Sequence, residues 1–295
     1  MNYAPDMKKL EVVIPTRNRN ILLLETLANL NLQTYPITKV YIVDSSDIPL
    51  VIENQYRFEL NYIHTGIQSA AIQRNIGLSS VSIDCSFVGF IDDDVRVPRD
   101  YFKSLIDILN KSDGIGACGI TSDSVNSKTN TPAFIFKRLF FLNSKKNGHI
   151  NKAGINTPIK FGVGIVESDW LLGCAVWNLA RFKALKFEES LHGLSLGEDV
   201  LISIEARKLG KLFVDSNLII EHLQSKIARP NEIQFWKMWA SNRKKIIYKM
   251  TDSKDTNFYY FWANFGQILS IIFFHKKNLI SKIACIRGII QGTIS

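Results

Sequence analysis

Along the first 225 residues, apolar and β-branched runs alternate with stretches in which leucine and isoleucine recur every three or four positions. "LEVVIPT" (10–16) predicts a strand, and "ILLLETLANLNLQ" (21–33) a helix behind it. "KVYIVDSSD" (39–47) predicts a second strand with Asp44 near its end, and "ELNYIHTG" (59–66) a third, shorter one. "SAAIQRNIGLSS" (69–80) is a helix opened by Ser69. "CSFVGFIDDDV" (85–95) is again a strand, and "PRDYFKSLIDILNKS" (98–112) a helix with Pro98 at its start. Further on, "ESDWLLGCAVWNLARFKALKF" (167–187) predicts a strand and a helix. "GEDVLISIEARKLG" (197–210) then predicts a helix beginning at an acidic pair, and "KLFVDSNLIIEHLQS" (211–225) a strand ending at His222. Strands alternating with helices imply an open α/β sheet with helices on both faces, whose ligands sit beyond the carboxyl ends of the strands. Between residues 114 and 164, Gly, Ser, Asn and Thr interrupt short apolar pieces such as "AFIFKRLFFL". This stretch is expected to form a loop region over the site.

Length and composition fit one large domain with an appendage: 295 residues, 46% hydrophobic and 21% charged. The only apolar run near the start is 10–15, and Glu11 interrupts it, so the chain is expected to stay in the cytosol. Cys85, Cys118, Cys174 and Cys285 are scattered without metal-ligand spacing and are expected to be reduced structural thiols. The net charge of +9 comes entirely from residues 226–295, where twelve Lys or Arg face Glu232, Asp252 and Asp255. The first 225 residues carry 24 charges of each sign.

That basic tail is also aromatic, and residues 256–274 lack any charge. Asn257, Asn264, Gln267 and Ser270 interrupt the uncharged stretch, so helices lying in a membrane interface are expected rather than a span. The division is therefore 1–225, an α/β domain, and 226–295, a helical membrane-associating extension that also suits a homodimer contact. No nucleic-acid motif accompanies the basic residues, and no nucleic-acid partner is expected.

The chemistry concentrates in "FIDDDV". Three consecutive carboxylates at the end of a buried strand call for a cation, and Asp-x-Asp offers hard oxygen ligands suited to Mg²⁺ or Mn²⁺ on a diphosphate. Asp44 is placed to accept a hydrogen bond from a nucleobase, and Arg74 to pair with a phosphate or with one of the aspartates. Glu198 and Asp199 sit at a helix N-terminus, where one of them can serve as a general base. His222 is a further candidate metal ligand. Taken singly, each is more often a surface or salt-bridging group; together they outline a nucleotide site.

In order, "VVIPTRNR", "IVDSSD", "AIQRNIGL", "FIDDDV", "DWLLGCAVWNLARF" and "GEDVLISIEARKLG" resemble a family 2 glycosyltransferase of the GT-A fold, over about three quarters of the chain. The resemblance implies a Rossmann-like, mixed but mostly parallel sheet and inverting sugar transfer from a nucleotide diphosphate sugar. It implies that Pro15, Thr16, Arg17 and Asp44 line the nucleoside pocket, with Arg74 near the base or diphosphate. Asp92 would contact the nucleoside, with Asp93 beside it, and Asp94 would hold Mn²⁺ or Mg²⁺. Asp199 would be the base, Glu198 would lie on the acceptor side, and Trp170 and Gly173 would shape the acceptor pocket. A lipid-linked or growing surface glycan such as O-antigen or capsule would be the acceptor, and the enzyme would work peripherally at the inner face of the plasma membrane. Two alternatives are a sugar-1-phosphate nucleotidyltransferase, which lacks support because "PTRNRN" stands where a Gly-rich loop is expected, and a non-catalytic membrane-associated nucleotide-sugar-binding module.

Overall fold

The computed structural model describes residues 7–52, 55–122, 132–144, 146–191, 195–223, 230–250 and 256–295. Part of the interrupted stretch between 114 and 164 (residues 123–131 and 145) therefore lies outside the described residues.

β1 (Leu10–Thr16), β2 (Lys39–Asp44), β3 (Glu59–His64) and β4 (Phe87–Phe90) form the parallel half of one nine-stranded sheet. Its remaining strands are β5 (Val95–Arg96), β6 (Gly114–Thr121), β7 (Ile165–Ser168), β8 (Ala175–Asn178) and β9 (Lys211–His222). The order is β3-β2-β1-β4-β8-β6-β9-β5, with β7 on β9. β8 runs antiparallel to both β4 and β6, and β6 pairs with β9 in parallel. The sheet is thus mixed and mostly parallel, as expected.

Every residue of β1 is buried because both faces of the strand are covered. Val12 and Ile14 face α1 (Asn20–Leu30) and α3 (Tyr101–Lys111) in one core. Val13 faces α2 (Ala70–Ser80) in the other, which α5 (Leu179–Phe182) and α6 (Glu198–Ala206) also join. Glu11, the charge inside the first apolar run, is buried and accepts hydrogen bonds from Tyr41 Oη and Ser82 N, both at 2.9 Å. At Gly77, α2 approaches β1 so closely that a Cβ would lie 2.3 Å from Val13 Cγ1.

The interrupted stretch differs from expectation. Its first part is β6, buried from Gly114 to Ile120 inside the sheet. Its glycines leave room for neighbours: Trp177 lies against Gly116, and the Leu218 carbonyl lies where a Cβ of Gly119 would stand, at 2.3 Å. "AFIFKRLFFL" supplies α4 (Pro132–Leu139), which packs on the C-terminal helices through Phe136 against Phe274, and Phe140 just beyond it stacks on Trp262.

Three helices follow: α7 (Glu232–Met250), α8 (Thr256–Phe274) and α9 (Leu279–Ile294). α9 lies close along α7 because Gly288 and Gly292 meet the Ile233 and Lys237 carbonyls, 2.5 and 2.2 Å from where a Cβ would be. α7 in turn packs on α6, sharing Ile246 with Val200 and Leu201, and Asn242 Nδ2 donates to Leu196 O at 2.9 Å. Contacts therefore cross the 225/226 division. Among the described residues no helix is long and apolar enough to cross a membrane. All four cysteines are buried and unbridged.

Candidate active site

The register brings the strand ends to one edge: Thr16 is level with Asp44, and Asp44 with His64. β4 stops at Phe90, so the three aspartates turn out of the sheet at that same edge. β5 then pairs antiparallel with β9, Val95 opposite His222, and Leu223 N donates to Asp94 O at 2.8 Å. That register is why His222, remote in sequence, comes to Asp94. Its Nδ1 lies 3.4 Å from Asp94 Oδ1, and its Nε2 lies 4.0 Å from Asp92 Oδ2.

These residues line a cavity of about 690 Å³, walled by Pro15, Thr16 and Arg17 on one side and by the loop into α6 on another. Thr16 Oγ1 donates to Asp93 Oδ2 at 2.7 Å, and Arg19 Nη1 donates to Asp93 Oδ1 at 2.9 Å and Asp94 Oδ2 at 3.2 Å. Burial, aided by the Asp94 charge and opposed by Arg19, raises the Asp93 carboxyl to about 6.

Arg74 is buried and bridges two carboxylates: its Nη2 lies 2.5 Å from Asp92 Oδ1, and its Nη1 contacts Glu198 Oε1. Gly173 gives the guanidinium room, since a Cβ there would stand 3.1 Å from Arg74 Nη2 and displace it by a few tenths of an ångström. Burial pushes the Glu198 carboxyl upward against the pull of Arg74, and the charges of Asp199 and Asp92 add to the rise.

Gly197 has φ +90°, a conformation that favours glycine, and it turns the chain so that Glu198 and Asp199 open α6. Ser195 pins that loop to α2 by accepting from Ala71 N at 3.2 Å. Asp199 lines the cavity. Burial raises its carboxyl to about 6, while a hydrogen bond from Val200 N at 2.8 Å and the charge of Arg74 hold it back.

Two expected site residues stand elsewhere. Asp44 is wholly buried and does not line the cavity; Ser46 N (2.8 Å), Ser46 Oγ (2.5 Å) and Tyr62 Oη (2.7 Å) already donate to its carboxylate. Trp170 is likewise turned into the core beside Ile150, Val200 and Ile246, donating Nε1 to Thr157 O at 3.3 Å. Neither has an exposed polar group to offer a ligand. None of the described residues between 114 and 164 lines the cavity, and residues 123–131 and 145, on which part of the loop expectation falls, lie outside the described residues. The cavity takes in residues the sequence reading missed: Arg19, Gln73, Phe235 and Trp236 of α7, and Lys277 from the connection between α8 and α9. The second arginine of "PTRNR" was the one available signal.

Among the described residues no three His, Cys, Asp or Glu side chains form a ready-made metal site. Asp94 and His222 nevertheless converge closely enough to share one ion. Mg²⁺ and Mn²⁺ commonly take few protein ligands and fill the rest with water and substrate phosphates, which two side chains at the wall of this open cavity fit.

The strand-end cleft thus gathers grouped carboxylates, a buried arginine and a helix-start aspartate with a raised carboxyl, a set suited to a cation and an anionic ligand. The family model for glycosyl transferase family 2 matches residues 11–165, more than half of the chain, and the chain belongs to that family. No curated protein matches it. Among solved structures it is similar to S. aureus TarS 1–349 in complex with UDP-GlcNAc, at 14% identity and TM-score 0.55, covering 95% of this chain and 79% of that one. It is also similar to GalNAc-T7 with UDP, GalNAc and Mn²⁺, at 12% identity and TM-score 0.59, covering 97% of this chain and 55% of that one. At such identities the likeness shows the fold.

Proposed function

We propose that this glycosyltransferase moves a sugar from a nucleotide diphosphate sugar to an acceptor hydroxyl with inversion, and that Asp199 is its base. The observation that carries the reading is the meeting of the β1 end, Asp92–Asp94, His222 and Asp199 in one cavity. Pro15, Thr16 and Arg17 hold the nucleoside, and Asp92 and Arg74 orient the donor. Asp94 and His222 would hold Mn²⁺ or Mg²⁺, and the chemistry such an ion would supply there is charge stabilisation of a leaving diphosphate. Asp199 takes the proton of the acceptor hydroxyl as that oxygen attacks the anomeric carbon. The bond from that carbon to the diphosphate oxygen breaks, and its electron pair leaves with the nucleotide. Attack opposite the leaving group inverts the stereocentre.

Residues 1–225 carry this chemistry, while residues 226–295 rest on the inner membrane surface and supply the acceptor side. Family membership sets aside the nucleotidyltransferase alternative. UDP complexes of TarS and GalNAc-T7 support a uridine nucleotide as the first donor to try.

The test is a thermal-shift screen of nucleoside diphosphates and nucleotide sugars with and without Mn²⁺. A metal-dependent rise is expected, about 2.7 kcal/mol of added stability at a hundredfold excess over Kd. No metal-linked rise with any nucleotide defeats the donor reading. Unchanged activity in Asp199→Asn defeats the assignment of the base.

A further inference from the structure

We infer that Arg19 is a specificity-determining residue of the cation site. It keeps Asp93 and one oxygen of Asp94 for itself, so that the site favours a small octahedral cation over Ca²⁺. The inference rests on the reading of Asp94 and His222 as the ion's holders and adds how the ion is chosen.

Three adjacent carboxylates could grip an ion in several ways, and their partners leave few of them. Arg74 Nη2 lies 2.5 Å from Asp92 Oδ1. Both oxygens of Asp93 are engaged within the protein: Oδ2 accepts from Thr16 Oγ1 at 2.7 Å, and Oδ1 from Arg19 Nη1 at 2.9 Å. The same Nη1 donates to Asp94 Oδ2 at 3.2 Å, while Asp94 Oδ1 lies 3.4 Å from His222 Nδ1. An ion held by Asp94 and His222 therefore meets Asp94 through Oδ1, because a guanidinium stands at the second oxygen.

The helix behind Arg19 fixes it there. Arg19 is the N-cap residue of α1, and its side chain is only 13% exposed. Further along α1, Thr26 Oγ1 lies 3.0 Å from Asp93 O and 3.1 Å from Val95 O. Asn29 brackets Val97, donating Nδ2 to its carbonyl at 3.1 Å and accepting from its N–H at 2.9 Å. α1 is thereby stitched along residues 93–97, which sets the guanidinium relative to the aspartates.

Coordination habits turn that geometry into a preference. An ion such as Mg²⁺ or Mn²⁺ is served by one or two protein groups, with water and phosphate oxygens completing an octahedron. Ca²⁺ spreads over roughly six to eight oxygens and often takes a carboxylate through both of its own. Arg19 withholds that second grip.

The test titrates the full-length, nucleotide-free protein with Mn²⁺, read by loss of the free ion's electron spin resonance signal, and then displaces it with Ca²⁺. Loss in Asp94→Asn marks which bound Mn²⁺ belongs to the site. The unaltered protein is expected to bind Mn²⁺ there more tightly than Ca²⁺. Arg19→Gln removes a positive charge and uncovers Asp94 Oδ2, so both ions should bind more tightly, Ca²⁺ gaining about tenfold more than Mn²⁺. Where Arg19→Gln alone fails to fold, adding Asp93→Asn removes the charge left unpaired, and the same shift in the Ca²⁺ to Mn²⁺ ratio is expected. An unchanged ratio in the variant, or equal affinities in the unaltered protein, overturns the inference. Mn²⁺ binding that is absent, or indifferent to Asp94→Asn, strikes the ion reading itself and the inference with it.

Discussion

Asp199 combines a cleft position with a carboxyl that burial raises to about 6, well above the ordinary carboxylate range. As the base it must be ionised, so kcat/KM is expected to fall about tenfold per pH unit below that value, read from a pH–rate profile. Stability moves the other way. The folded protein binds more protons than the unfolded chain between about 4 and 6 at Asp199, and likewise at Asp93. Their contribution therefore grows as pH falls through 6 and weakens as it rises. Asp199→Asn is expected to lower turnover by about 10²–10⁴-fold while keeping nucleotide binding. The same change should raise Tm, by about 2–4 °C for each kcal/mol of relieved strain. Gly173→Ala should push Arg74 by a few tenths of an ångström. Its cost in kcat/KM is expected to stay below the ~100-fold that follows a 1 Å misplacement, measured with saturating acceptor. What the sequence could tell at this scale was the set of strand-end residues, Thr16, Asp92 to Asp94 and His222, because an α/β sheet aligns strand ends. It could not tell that Ser46 and Tyr62 occupy Asp44, or that Trp170 faces inward, because those depend on neighbours chosen by packing.

Elements read well where periodicity was strong, as in β1, α2 and β9, and poorly where close packing required glycine. "GIGACGIT" has weak strand propensity, yet β6 is central because its glycines admit Trp177 and the Leu218 carbonyl. The same physics joins α9 to α7. Gly292→Val should drive a side chain into the Lys237 carbonyl, a backbone group no rotamer change can move. A loss of about 1–3 kcal/mol is expected, with α9 becoming accessible to limited proteolysis while the sheet stays protected.

Across the whole molecule, the uneven charge seen in the sequence turns out to coincide with an uneven apolar surface. α8 exposes Phe258, Phe261, Phe265 and Phe273, while α9 exposes Ile280 and Ile283. Flotation with vesicles is expected to show binding to phosphatidylglycerol over phosphatidylcholine, weakening with salt. Phe261→Ser and Phe265→Ser should each lower it about tenfold, the loss of one buried aromatic side chain. Equal binding to both vesicles would remove the electrostatic part, and none at all would remove the docking. Residues 226–295 look detachable by composition, but Asn242 ties them to Leu196 in the loop before α6 and Ile246 packs on α6 itself. Sequence contrast alone did not reveal that tie.

Arg74 stands between two carboxylates, Asp92, proposed above to orient the donor, and Glu198 at the start of α6. One guanidinium cannot serve both carboxylates equally once a ligand draws Asp92 away. Proton affinity on the far side then depends on whether the near side is loaded, and the order in which the two substrates arrive acquires an electrostatic basis that needs no moving lid.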